Sequence, residues 1–127
     1  MKSKILLIED DPTIRQMIND IIELKKLNLE LIPVSSAEEG LRIIKTTKIA
    51  IVLLDMKLSS VMQGSDFLDE LKKLKIKTKV IIETASQSSV KQELLTKYSG
   101  LVIEVLLKPF RPSVLVELIT KSLNSTI

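Results

Sequence analysis

Four short apolar runs, each closing on a charged or hydroxyl-bearing residue, fix most of what this 127-residue chain can become. Ile5-Leu6-Leu7-Ile8 leads into Glu9-Asp10-Asp11, and Ile49-Ala50-Ile51-Val52-Leu53-Leu54 leads into Asp55. Val80-Ile81-Ile82-Glu83 leads into Thr84, and Val102 to Leu107 into Lys108-Pro109-Phe110. The Ile49 to Leu54 run shows no polar alternation, which is the pattern of a strand covered on both faces, so it belongs at the centre of a sheet. If the strands are parallel, carboxylates, a hydroxyl and an ammonium collect at one edge, where open α/β sheets hold their ligands.

Helical stretches alternate with these runs. Asp11 is a cap residue and Pro12 suits a first helical turn; Ile14, Met17, Ile18, Ile21 and Ile22 then recur at helical spacing. Leu29 to Val34 reads as a further strand, and Pro33 within it removes a ladder donor, which places that strand at an edge. Ser36-Ala37-Glu38-Glu39 opens a second helix carrying Leu41, Ile43 and Ile44, and Phe67, Leu68, Leu71 and Leu74 mark a third. Val90, Leu94 and Leu95 mark a fourth, and the last starts near Pro112 and carries Leu115, Leu118, Ile119 and Leu123. Five βα units in succession predict an α/β layer structure with a mostly parallel sheet, residues 1–127 forming one domain with no room for a second. The hydrophobic pattern alone leaves the strand order open.

Composition limits the chemistry. With no cysteine and no histidine, the chain lacks disulfides, thiolate metal sites and any imidazole base or phosphate carrier. Its apolar runs are shorter than a secretory leader or a membrane span requires, so a cytoplasmic protein without membrane contact is expected. A net charge of +3 gives no ground for direct nucleic acid binding. The run Lys72, Lys73, Lys75, Lys77, Lys79 reads as a solvated helix end and loop in preference to a patch for phosphates or an acidic partner.

Glu9, Asp10 and Asp55 would converge at the ends of adjacent strands. At a separation of about 4 Å and an effective dielectric near 20, each pair of carboxylates repels by ~4 kcal/mol. Either a proton or a cation must relieve that repulsion, and an all-oxygen donor set favours a hard ion, Mg²⁺ or Mn²⁺. Three carboxylates, one divalent ion and the Lys108 ammonium sum to zero charge, leaving a pocket that can admit a phosphoryl group. A carboxylate is a competent nucleophile toward phosphorus, and ionised Asp55 has no proton to lose. The ion, Lys108 and the Thr84 hydroxyl can then each take one equatorial oxygen.

Each element has a bland reading when taken alone. Asp55 would be a loop or cap residue, Glu9-Asp10-Asp11 a turn with Asp11 capping the helix, Lys108-Pro109 a strand end, and Thr84 a hydroxyl satisfying a backbone group. Their joint occurrence at four strand ends, in this order, favours the chemical reading.

These same residues carry a family resemblance. Ile5-Leu6-Leu7-Ile8-Glu9-Asp10-Asp11-Pro12, Leu53-Leu54-Asp55-Met56, Glu83-Thr84-Ala85 and Leu107-Lys108-Pro109-Phe110 resemble, in sequence and order, the motifs of the receiver domain of two-component response regulators. The resemblance implies a flavodoxin-like (βα)5 three-layer sandwich with strand order 2-1-3-4-5, an order for which a member of this family is the standing example. It further implies that Asp55 is the phosphoacceptor and that Glu9, Asp10, Asp55 and the backbone carbonyl of Lys57 form the metal site. Thr84 would be the switch hydroxyl and Lys108 the phosphate-binding lysine. The implied donor is a phosphohistidine on a histidine kinase or phosphotransfer protein. The implied output is altered binding of a partner through the fourth helix, fifth strand and fifth helix, or a phosphorylation-dependent homodimer. The alternative within this family is a pseudo-receiver, an interaction module that keeps the fold and works without phosphorylation.

Two positions depart from the family pattern. Val105 stands where a Tyr or Phe usually turns inward on activation, so transmission is expected to run through the fourth helix or Thr84 alone. Ser59 replaces a proline, and Gly64 lies nine residues after Asp55 rather than eight. The Lys57 to Ser65 loop is therefore expected to be longer and more mobile.

Overall fold

A computed structural model describes residues 2–85 and 89–124. Its elements alternate strictly: β1 (Ser3–Ile8), α1 (Pro12–Leu24), β2 (Leu29–Val34), α2 (Ala37–Thr46), β3 (Ile51–Asp55), α3 (Gly64–Lys73), β4 (Lys79–Thr84), α4 (Ser89–Lys97), β5 (Val102–Leu107) and α5 (Pro112–Asn124). The strands form one five-stranded sheet in the order β2-β1-β3-β4-β5, every pairing parallel. The expected order and the edge position of the Pro33 strand are both found.

Alternation along each strand feeds two cores. Leu6, Ile8, Val52, Leu54, Val80 and Ile82 face α2, α3 and α4, meeting Leu41, Ile44, Phe67, Leu68, Leu71 and Leu94. Ile5, Leu7, Ile51, Leu53, Ile81 and Leu106 face α1 and α5, meeting Ile18, Ile22, Leu115 and Ile119. All five β3 residues are buried, as a doubly covered central strand requires. Burying aliphatic side chains of this size contributes about 1.5–3 kcal/mol each.

Helix starts follow their caps. Asp11 Oδ1 accepts from Thr13 N at 2.8 Å ahead of Pro12, and Ser36 Oγ accepts from Glu39 N at 3.2 Å. At two boundaries the sequence expectation shifts. Ile49 and Ala50 precede β3, where Thr78 Oγ1 donates to Ile49 O at 3.0 Å, and Asp55 is the last strand residue. Leu74 caps the end of α3 with 43% exposure, because the chain turns there through Lys75 at φ 58. The edge strand β2 joins β1 through alternate residues, Glu9 N donating to Val34 O at 3.1 Å, so Pro33 turns its nitrogen away from the sheet.

Candidate functional site

The strand pattern that builds the core also builds the site. Leu7, Leu53, Ile81 and Leu106 all lie in the core beneath α1 and α5. Side chains two residues further on return to the same face, which brings Glu9, Asp55, Glu83 and Lys108 to one row along the C-terminal edge of the sheet. Register confirms the alignment, with Ile8 opposite Leu54 and Asp55 opposite Glu83. Glu9, Asp55 and Glu83 are buried, at 1%, 7% and 0% exposure.

Glu9, Asp10 and Asp55 each offer a carboxylate oxygen, and these three atoms lie within 4.8 Å of one another. Lys108 reaches across to them, its Nζ 3.3 Å from Asp55 Oδ2 and 3.4 Å from Glu9 Oε1. Backbone donors orient the acids. Asp11 N donates to Glu9 Oε2 at 3.2 Å, Lys57 N to Asp55 Oδ1 at 3.1 Å, and Ser59 N to Asp10 Oδ2 at 2.9 Å. Arg15 Nη1 donates to the Glu9 carbonyl at 2.7 Å, tying the start of α1 to the end of β1.

The electrostatics record the crowding. Burial, then the hydrogen bond and charge of Asp55, push the Glu9 carboxyl up to about 7. Partial burial works against ionised Asp10, but its hydrogen bonds from Ser59 outweigh this and hold it below the ordinary carboxylate value. Burial pulls the Lys108 ammonium down, while Asp55 and Glu9 outweigh that pull and hold it above its ordinary value. With three carboxylates and one ammonium, the described cluster carries two surplus negative charges when fully ionised. Its all-oxygen donor set and that surplus fit one hard divalent cation.

The structure thus brings Glu9, Asp10, Asp55 and Lys108 together. Thr84 ends β4 beside them, 5% exposed and on the opposite face of its strand from Glu83, and its carbonyl accepts from Lys108 N at 2.8 Å. The Lys57 side chain is exposed, and that residue meets Asp55 through its backbone.

The loop expected to be mobile is instead closely hydrogen-bonded. Gln63 Oε1 accepts from Leu58 N at 2.9 Å, while Gln63 Nε2 donates to Leu58 O at 2.8 Å and Ser60 O at 2.7 Å. Leu58 is buried at 5% exposure, and Met62 N donates to Glu38 Oε2 at 3.3 Å, fastening the loop to α2. Gly64 closes the loop against the site itself. A Cβ there would lie 2.7 Å from Met56 Cα and 3.0 Å from Asp55 O, so only glycine lets α3 start so close to the acidic strand end.

One residue of the row escaped the sequence reading. Glu83 was legible only as the end of a strand, yet both its carboxylate oxygens are buried without a hydrogen-bond partner. Burial, then the charge of Glu9, push it up to about 7, with Lys108 acting in the opposite direction. The available signal was its parity: it follows a core residue by two, as Glu9 and Asp55 do.

A parallel sheet of order 2-1-3-4-5, sandwiched between helices and carrying an acidic row with a lysine at its C-terminal edge, defines a protein of the flavodoxin-like, CheY-like class. Within that class, the chain belongs to the response regulator receiver domain family, whose family model matches residues 5–120. Among solved structures it is similar to a CheY-like response regulator receiver domain protein from Methanospirillum hungatei, with 27% identity, a TM-score of 0.82 and coverage of 98% of this chain and 95% of that one. It is also similar to the response regulator TrrA from Thermotoga maritima in complex with Mg(2+)-BeF, with 27% identity, a TM-score of 0.77 and coverage of 96% and 99%. A curated relative is the nitrate/nitrite response regulator protein homolog of Haemophilus influenzae, 32% identical over 94% of this chain and 56% of the relative. The chain spans about half the length of the curated relatives it matches, 46% of one and 56% of another. No helix among the described residues is long and apolar enough to cross a membrane.

Proposed function

We propose that this receiver domain is a phosphorylation switch in which Asp55 accepts a phosphoryl group from a phosphohistidine on a histidine kinase or phosphotransfer protein. The observation that carries the reading is the cluster itself: three carboxylates with oxygens within 4.8 Å of one another, and an ammonium 3.3 Å from Asp55. Glu9, Asp10, Asp55 and the Lys57 carbonyl would hold Mg²⁺ or Mn²⁺. Such an ion supplies charge compensation for the carboxylates and for a phosphoryl oxygen.

The chain's own groups do the rest. An Asp55 carboxylate oxygen bonds to phosphorus as the P–N bond of the donor breaks, and the imidazole leaves with the electron pair. The Lys57 N–H holds the other oxygen, Asp55 Oδ1, and so fixes which oxygen is presented. Lys108 moves its ammonium from the carboxylates to the transferring oxygens, where charge spreads in the transition state. Thr84 supplies a hydroxyl from the adjacent strand end. Output goes to a partner through α4, β5 and α5, where Ile103 and Val114 are exposed at 41% and 38% and Lys91 pairs with Glu104 at 3.0 Å. The phosphoryl group shifts that surface only by its difference in interaction energy between two conformations.

Mass spectrometry after incubation with acetyl phosphate and Mg²⁺ tests the reading. One phosphoryl adduct is expected on Asp55, lost with chelator and lost in Asp55→Asn. Stoichiometric labelling of Asp55→Asn would remove Asp55 from this role, and an unlabelled native protein would favour an interaction module that works without phosphorylation.

A further inference from the structure

The proposed transfer uses Glu9, Asp10, Asp55 and Lys108 and leaves Glu83 idle, although Glu83 is the one described residue with buried side-chain oxygens that lack any hydrogen-bond partner. A buried polar group without a partner is costly, and its presence in a folded protein calls for a reason. Topology supplies one. Lys108 follows β5, while the carboxylates it reaches end β1 and β3, so its side chain must cross β4 to meet them. Glu83 is the residue that β4 presents on that face at that level, directly opposite Asp55 in register. Its charge is among those acting on Lys108, and that of Lys108 is among those acting on it, yet the two form no ion pair. The Lys108 contacts that do form are long for charged partners, 3.3 Å and 3.4 Å.

We propose that Glu83 is a positioning residue for phosphoryl transfer, acting through Lys108: its carboxylate holds the ammonium back over β4, in competition with the incoming phosphoryl group. The inference rests on the phosphorylation reading above and adds a brake to it. A neutral side chain at position 83 frees Lys108 to meet the phosphoryl oxygens sooner, and the receiver loads faster. The brake also explains why a buried carboxylate sits where an apolar residue would pack at less cost.

The test is the initial rate of labelling by acetyl phosphate with Mg²⁺ at about pH 8.5, where the native Glu83 carboxyl is ionised, followed by intact-protein mass spectrometry. Glu83→Gln keeps the shape and removes the charge, and Glu83→Met is a second neutral variant that folds without a buried amide. Both should label at least about fivefold faster than the native chain, because a buried charge is only weakly screened from the ammonium. Glu83→Asp, which keeps the charge, should stay within about twofold of native. In a Lys108→Ala background, Glu83→Gln should change nothing, because the brake has lost the group it acts through. Equal rates for native and both neutral variants would overturn the inference, as would a gain that persists at full size without Lys108. A native protein that takes no label would overturn the phosphorylation reading and this inference together, whereas native labelling with unchanged neutral variants would overturn this inference alone.

Discussion

The acidic row and the loop beside it solve the same problem in opposite ways. In the Leu58 to Gln63 loop, polar groups are matched by hydrogen bonds: one Gln63 side chain answers three backbone groups, at 2.7 to 2.9 Å. In the row, the carboxyl groups of Glu9, Asp55 and Glu83 are buried beside one ammonium that pairs with the first two, and the Glu83 oxygens have no hydrogen bond at all. The difference teaches where this fold stores free energy. Charge imbalance is concentrated where a phosphoryl group would act, and the flanking loop, held by satisfied hydrogen bonds, keeps that imbalance in place.

The contrast breaks most visibly at Lys108. Lys108→Ala removes the ammonium proposed to meet the transferring oxygens and should slow labelling by acetyl phosphate by about 100-fold, the scale of losing one preorganised electrostatic contact. A loss below about threefold in initial rate would show that the row does not depend on its single ammonium.

Glu83→Met should sharpen it from the other side by raising stability about 2 kcal/mol, since it removes an unpartnered buried group. The gain should depend on pH in a defined sense. The Glu83 carboxyl is raised from 4.5 to about 7 in the folded protein, so between those values the folded state keeps a proton that the unfolded chain has released. Native stability from this group is therefore full below pH 4.5 and is lost as pH rises through about 7. The advantage of the variant should grow across that window, as read by urea unfolding without metal at several pH values. A constant difference would mean that Glu83 ionises normally.

The loop offers the converse change. Gln63→Ala should lower stability by about 1–2 kcal/mol, because Leu58 N–H and two carbonyls lose their partner at once. Labelling rates should fall less than stability does, unless the loop also places Asp10 through the Ser59 bond. The smallest effect belongs to Lys57→Ala. Its side chain is exposed and its contact with Asp55 is a backbone one, so the lifetime of the phosphorylated form should change by about twofold and unfolding by less than about 0.5 kcal/mol.

Most of the architecture was legible in residue order. Apolar runs without alternation imply doubly covered strands, and Pro33 marked its strand as an edge. The grouping of Glu9, Asp10, Asp55 and Lys108 followed from strand ends, since a parallel sheet must deliver them to one side. What escaped depended on distances that no run encodes. The Ser59 to Asp10 hydrogen bond joins residues 49 apart, and the Gln63 network exists only once the loop has closed on Gly64. An added loop residue implies slack, yet the Gln63 amide braces this loop through Leu58 and Ser60. Glu83 escaped for a different reason: its residue type was plain, while its burial and missing partners appear only when β4 is placed between β3 and β5.

The outward turn of the Pro33 nitrogen also bears on what happens when many copies crowd together. Along β2 the residues facing away from the sheet are Leu29, Leu31 and Pro33, and Leu29 N already donates to Leu27 O at 2.8 Å. Proline has no N–H, so Leu31 alone of these can offer a donor to a strand arriving from another molecule. With two of its three outward donors removed, β2 is a weaker template for edge-to-edge growth than a strand with every N–H free.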